Sequence, residues 1–147
     1  MSKWVFIPVM LLYGLANISC HPKGNSQYRA PILNDTLIKT DPTHPSFKQT
    51  VKYTDALTKK KFVRVTAKQI INPKKLPLSF DLYWIAGNQT LFLGSVVPFP
   101  SDNPGTFIIA IGGRLTSDGE LELRLVLPDE WTREDKVEVS FKRLELE

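Results

Sequence analysis

Few side chains in this 147-residue chain are equipped for chemistry. A Ser-His-Asp constellation or a multi-histidine metal site needs histidine inside a folded domain. The two histidines are His21, next to the single cysteine Cys20, and His44, held between Thr43 and Pro45 in a proline-rich stretch. Neither is expected in a core. Asp81, Glu122 and Glu138 have the type for a paired-carboxylate site, yet each falls in an alternating pattern, where outward-facing charge on a strand is the commoner explanation. The acidic run around Asp129, Glu130, Glu134 and Asp135 lacks the closely set oxygen ligands and the glycine of a calcium loop, so a solvated turn is expected. Gly112-Gly113 reads as a turn after a strand, not as a phosphate cradle. The residues therefore predict no catalytic reaction, no bound metal and no cofactor.

Cys20 is the remaining reactive group, and its setting gives it a purpose. One cation, Lys3, precedes an apolar stretch from Trp4 to Ala16, followed by Asn17, Ile18, Ser19 and the cysteine. Such a stretch falls short of the roughly 20 residues that span a bilayer as a helix, and Pro8 interrupts it. The layout is that of a cleaved signal peptide covering residues 1–19. It resembles a bacterial lipoprotein signal, in which the cut falls before a cysteine that then carries diacylglycerol. Ile18 and Ser19 fit that pattern, whereas Asn17 stands where an aliphatic residue is usual. An ordinary secretory cut after Ala16, following Gly14-Leu15-Ala16, is the alternative. A lone cysteine is unusual in a secreted protein and required in a lipoprotein, which favours lipidation of Cys20. His21 follows where Asp would signal inner-membrane retention in enteric bacteria, so by resemblance the outer membrane is favoured.

Removal of the signal leaves enough chain for one domain with its own core. From Cys20 to Ser46 the chain is polar, with Pro22, Pro31, Pro42 and Pro45 spaced against regular structure, and reads as a flexible tether of 20–46. Its coil dimension is roughly 25 to 30 Å. The run from Ile32 to Ile38 is apolar enough to add an edge strand. Charge is uneven: residues 1–80 hold 13 Lys and Arg against 3 Asp, and residues 81–147 hold 6 against 12 Asp and Glu. Either the strands of the two halves pair and their charges cancel, or Lys59, Lys60, Lys61, Lys74 and Lys75 form a basic patch toward anionic lipid. The net charge is too mild to argue for nucleic acid.

Beyond the tether, apolar residues recur every second position between breaks of Pro, Gly, Asn and Asp, so the domain of 47–147 is all-β. Seven strands are expected, over 47–54, 62–71, 78–86, 90–98, 106–112, 120–127 and 136–146, forming a seven-stranded antiparallel, immunoglobulin-like β-sandwich. Val63, Val65 and Ala67 should face inward, as should Phe80, Leu82 and Trp84, and Leu121, Leu123, Leu125 and Leu127. In the last strand Val137, Val139 and Phe141 hold one phase and Leu144 and Leu146 the other, which predicts a β-bulge near Lys142 and Arg143. Gly87-Asn88-Gln89 and Ser117-Asp118-Gly119 read as hairpin turns. The stretch from Pro128 to Asp135 reads as one helical turn that folds Trp131 onto the core.

Binding candidates come from aromatic residues. Phe99 stands between Pro98 and Pro100 in a loop that loses little entropy on binding, or else it caps the open end of the sandwich. Tyr83, Trp84 and Trp131 offer stacking faces for a glycan or lipid if they reach the surface; alternation makes core or half-buried positions the simpler reading.

Phe80-Asp81-Leu82-Tyr83-Trp84, Phe92-Leu93-Gly94-Ser95, Gly105-Thr106-Phe107 and Val137-Glu138-Val139-Ser140-Phe141 together resemble the carboxy-terminal β-sandwich of tyrosinases and plant polyphenol oxidases. The resemblance covers roughly residues 60–147. It implies a non-catalytic sandwich that covers a partner. The copper-binding histidines of that family belong to a different domain, so no site residue carries over.

The expected protein is an envelope lipoprotein that is not an enzyme and whose sandwich docks on another envelope protein. Glycan or lipid binding, or service to a copper oxidase, are the alternatives. Intact mass of the mature protein from its membrane should show a start at Cys20 with acyl chains attached, lost in Cys20→Ser. A start at Asn17 with a bare thiol would remove the anchor.

Overall fold

The computed structural model describes residues 36–147. The signal and most of the tether, with Cys20, His21 and residues 32–35 of the proposed edge strand, lie outside the described residues. Among those described, regular structure is nine strands and two short 3-10 turns, with no α-helix. The strands are β1 (Ile38–Thr40), β2 (Ser46–Val51), β3 (Phe62–Ile71), β4 (Ser79–Ala86), β5 (Gln89–Val96), β6 (Gly105–Ala110), β7 (Gly119–Val126), β8 (Glu138–Phe141) and β9 (Glu145–Leu146).

They form a β-sandwich of two antiparallel sheets. One runs β1-β8-β3-β6, with β9 also on β3, and the other β2-β7-β4-β5. Two strands exceed the expected seven. One is β1, which joins the sheet beside β8, so the chain enters the sandwich before the boundary expected at residue 47. The other arises where the last predicted strand divides into β8 and β9. Phe141 pairs with Ala67 and Glu145 with Arg64, so four steps on this strand oppose three on β3. That is the expected bulge around Lys142 and Arg143, and it returns Leu144 to the core. A second bulge lies on β3 between Ala67 and Gln69, where Lys68 and Gln69 are exposed in succession before Ile70 turns inward.

The inward rows follow the alternation. Val63, Val65, Phe80, Leu82, Leu121 and Val139 are fully buried, and Trp84 is 4% exposed. Side chains of the two sheets interdigitate through four phenylalanines. Phe141 of β8 lies 5.7 Å from Phe47 of β2 and 4.9 Å from Phe80 of β4, centroid to centroid, and Phe80 lies 6.2 Å from Phe107 of β6. The rings alternate between sheets, and the two pairs that involve Phe80 are edge-to-face, the arrangement that ring quadrupoles favour.

Gly87 and Asn88 make the two-residue turn from β4 to β5, with Gly87 at φ 57°, left-handed backbone that glycine supplies without steric cost. Ser117-Asp118-Gly119 is not a hairpin: β6 and β7 lie in different sheets, and the turn carries the chain across the sandwich. There the Asp118 carboxylate accepts from the Tyr53 amide at 2.7 Å and from Lys52 at 3.1 Å. The helical turn is shorter than expected, Arg133–Asp135, and starts after Thr132, whose side chain and that of Asp135 cap each other's amides. Trp131 packs against the core just before it.

Strand directions define two ends. The carboxy-terminal end of β3 meets the loops 41–45, 72–78, 97–104 and 127–137, whereas its amino-terminal end meets Lys59–Lys61, the Gly87-Asn88 turn and the loop 111–118. Among the described residues seven ion pairs join a cation that precedes residue 81 to an acid from residues 81–147, among them Lys39–Glu138, Lys48–Glu120 and Arg64–Glu147. Strand pairing, together with contacts between the loops at the strand ends, thus offsets much of the charge asymmetry of the two halves.

At the open side of the sandwich Arg114 joins the edge strands of both sheets. Its guanidinium donates to the carbonyls of Leu93 at 2.8 Å, Ala110 at 2.5 Å and Ile111 at 2.9 Å, with Phe92 at 3.4 Å. Leu93 is the bulged residue of β5, so the irregularity turns its carbonyl to the clamp. Only a planar fork reaches several carbonyls at once. Arg114→Ala should lower unfolding free energy by about 2 kcal/mol. Arg114→Lys should recover less than half of that, read from denaturant midpoints at constant slope.

Candidate functional site

The end of the sandwich opposite Lys61 carries the most exposed aromatic among the described residues. Phe99 is 92% exposed, between the buried Pro98 and the exposed Pro100. Beneath it runs an apolar groove of ≈ 350 Å³ lined by Pro77, Leu78, Val97 and Pro98. A second hollow of ≈ 320 Å³ shares Pro77, Leu78 and Val97 and continues to Val126 and Pro128. Val97 is 64% and Val126 41% exposed, so the groove opens onto one apolar surface. Of the two readings of Phe99, capping of the sandwich end fails, because a capping ring would be covered.

Bonds behind the loop hold this surface in place. Asn72 is 4% exposed; its amide donates to Leu76 O at 2.8 Å and to Ser101 O at 3.3 Å, and its carbonyl accepts from the Leu76 amide at 3.0 Å. Lys75 reaches Asp102 at 3.3 Å, and Lys74 reaches the buried Asp135 at 2.5 Å. The loops 72–78, 97–104 and 127–137 are thereby tied together. The contribution of Val97, Val126 and Pro77 was not evident in sequence, although Val97 follows Val96 in a break of alternation that marked one of the pair for solvent.

The other aromatic candidates do not converge. Trp84 is a core residue, and its ring lies so close over Gly119 that a Cβ there would meet it at 2.5 Å. Tyr83 is half-buried on the outer face of the second sheet, with its ring 5.4 Å from Phe92 at a 58° tilt and the Arg124 guanidinium 4.2 Å from its centroid. Trp131 is half-buried and borders a separate hollow with Asp41, Thr43 and Val137. No two of the three present parallel faces to one ligand.

Asp81 and Glu122 share the outer face of the second sheet, while Glu138 lies in the first sheet, bonded to Lys39 at 2.7 Å. Asp81 accepts from Ser95 at 2.6 Å, and Glu122 accepts from Arg124 at 2.7 Å. These carboxylates are thus held in structural pairs. Thr43, His44 and Asp41 belong to one tight turn, in which Asp41 Oδ1 accepts from the amides of Thr43 at 2.7 Å and His44 at 2.8 Å. Hydrogen bonds, first from the Thr43 hydroxyl, hold the Asp41 carboxyl below its usual range. Among the described residues no group of three His, Cys, Asp or Glu side chains is placed to hold a metal.

The buried Glu122 makes the clearest electrostatic contribution. The Arg124 hydrogen bond, helped by Ser46, holds its carboxyl pKa below the ordinary value against the opposing effect of burial. A depressed folded-state value contributes stability above the ordinary carboxylate range, and that contribution is lost as pH falls through and below it. Glu122→Gln should therefore be less stable than the parent at neutral pH. The gap should close as pH falls below about 4, measured as denaturant midpoints across pH.

No family model matches the chain, and no curated protein matches it. Among solved structures it is similar to a recombinantly expressed latent aurone synthase, a polyphenol oxidase, at 15% identity and a TM-score of 0.42, over 78% of this chain and 26% of that one. The chain spans about a quarter of that protein's length. A likeness of this degree transfers no copper chemistry to the present chain.

Proposed function

We propose that this chain is a membrane-anchored envelope lipoprotein, acylated at Cys20 and favouring the outer membrane, whose non-catalytic β-sandwich docks on another envelope protein through the Phe99 end. The observation that carries the docking reading is the 92% exposure of Phe99 over an apolar groove whose loops are cross-tied. An aromatic held in water costs solvation free energy that only a partner recovers. A surface fixed before binding loses little further entropy, and buried aromatic anchors dominate interface energetics. The acidic groups of the outer faces sit in structural pairs, which supports a binding role over a catalytic one. Glycan binding is less favoured, because Tyr83, Trp84 and Trp131 lie in three separate environments.

Phe99→Ala separates the partner from the fold. It should change unfolding free energy by less than about 0.5 kcal/mol, because the ring has almost no protein neighbours to lose. A photo-crosslinking residue at Val97 in the full chain, expressed in its own envelope, should form one discrete adduct with an envelope protein. The adduct should disappear with Phe99→Ala and be absent with the crosslinker at Thr116, at the opposite end. Equal adducts at both positions, or an adduct indifferent to Phe99→Ala, would exclude the groove as the docking site.

A further inference from the structure

The five lysines that suggest one basic patch in sequence belong to two places. β3 separates Lys61 from Lys74 by ten strand residues, about 33 Å. Lys74 and Lys75 are spent on Asp135 and Asp102 at the Phe99 end. Lys59, Lys60 and Lys61 stay together at the other end, where the Lys61 carbonyl accepts from the Ile111 and Gly112 amides, and they form no ion pair among the described residues.

The remaining charges differ between the two ends. At the Lys61 end the acids Asp118, Glu120, Glu145 and Glu147 are taken by Lys52, Lys48 and Arg64. That leaves Asp55 as the carboxylate there without an ion pair among the described residues, against the three lysines and the exposed Arg143. At the Phe99 end Asp129, Glu130 and Glu134 are exposed and form no ion pair among the described residues, but the exposed Lys68 and Lys136 stand unpaired in the same half, so no comparable cluster of one sign forms there.

β1 gives this polarity a direction. It pairs antiparallel with β8, as β3 does, so β1 and β3 run the same way. The chain therefore enters the sandwich from the Lys61 side. Thr36 borders a hollow with Thr50 and Arg143, both in the half nearer Lys61. β1 and β3 are two strands apart, about 10 Å.

We infer that Lys59, Lys60 and Lys61 form a contact surface for an anionic phospholipid membrane, which seats the Lys61 end on the bilayer and points the Phe99 end away from it toward a partner. The inference deepens the proposed reading of a membrane-anchored protein and rests on it. Lysines beside a leaflet bearing anionic headgroups are attracted additively, and the Phe99 end, about 33 Å away, lies beyond the reach of that surface potential, so the clustered lysines set the orientation.

The test uses the full chain carrying Cys20→Ser, so that headgroup binding is read without the lipid. Sedimentation with vesicles of phosphatidylglycerol in phosphatidylcholine is compared with phosphatidylcholine alone. The anionic vesicles should be preferred by about tenfold. The triple change Lys59→Gln, Lys60→Gln, Lys61→Gln should abolish most of that preference, and Lys59→Arg, Lys60→Arg, Lys61→Arg should retain it. A charge-matched control, Lys39→Gln, Lys68→Gln, Lys136→Gln, should also retain it, with unchanged thermal midpoints establishing that each variant folds. Equal loss in both Gln variants would reduce the effect to net charge and overturn the inference, as would full retention in the first. Intact mass of the parent protein reports acylation separately, so failure of the patch and failure of the anchor are distinguishable.

Discussion

The contact on which the sandwich depends is the alternation of Phe47, Phe141, Phe80 and Phe107 across the gap between the sheets. β2 and β4 supply two of the rings and β8 and β6 the others, so neither sheet closes its inner surface without the other. Phe80 and Phe141 are essentially inaccessible, and burying each is worth about 2 to 3 kcal/mol. With one cysteine in the chain and no intramolecular disulfide available, this packing has to carry the stability that cross-links supply in many small secreted domains.

Interdigitation fixes the spacing of the sheets but leaves their edges open, and polar devices finish the structure there. Arg114 satisfies carbonyls of β5 and of the end of β6 together, across the open side. The bulges on the edge strand β5 and between β8 and β9 break the regular ladders that would otherwise template pairing with another chain. Ion pairs between the two halves of the chain then distribute charge over the faces. They are mostly exposed, and each is worth little on its own. Their larger effect is to neutralise charge locally, so that the unpaired Lys59, Lys60 and Lys61 stand out as one cluster at one end of the domain.

The same economy sets the character of the Phe99 end. Asn72 and the Lys75–Asp102 pair are spent behind the loops, and what remains in front is apolar. A surface with few free polar groups and little freedom to rearrange suits a protein partner better than a sugar, which needs directed hydrogen bonds beside a flat aromatic face.

Much of the fold was legible in the chain because strand alternation is a local property. The whole of β3, the inward rows of β4 and β7, and the bulge at Lys142 and Arg143 follow from which residues are apolar at every second position. The bounds of β1 are not legible, since three residues carry too little pattern to delimit a strand, and turn chemistry at Ser117-Asp118-Gly119 does not reveal which sheet the next strand joins. The lone cysteine after an apolar run and the aromatic between two prolines were sequence properties outright. Only tertiary structure decided that Trp84 is core, that Tyr83 and Trp131 are apart, that Arg114 spans two sheets, and that five lysines form one cluster and two structural pairs. The physical reason is range: alternation and turn propensity act over a few residues, whereas strand order places residues dozens of positions apart at the same end of the sandwich, and charge and exposed apolar area act only where the fold has gathered them.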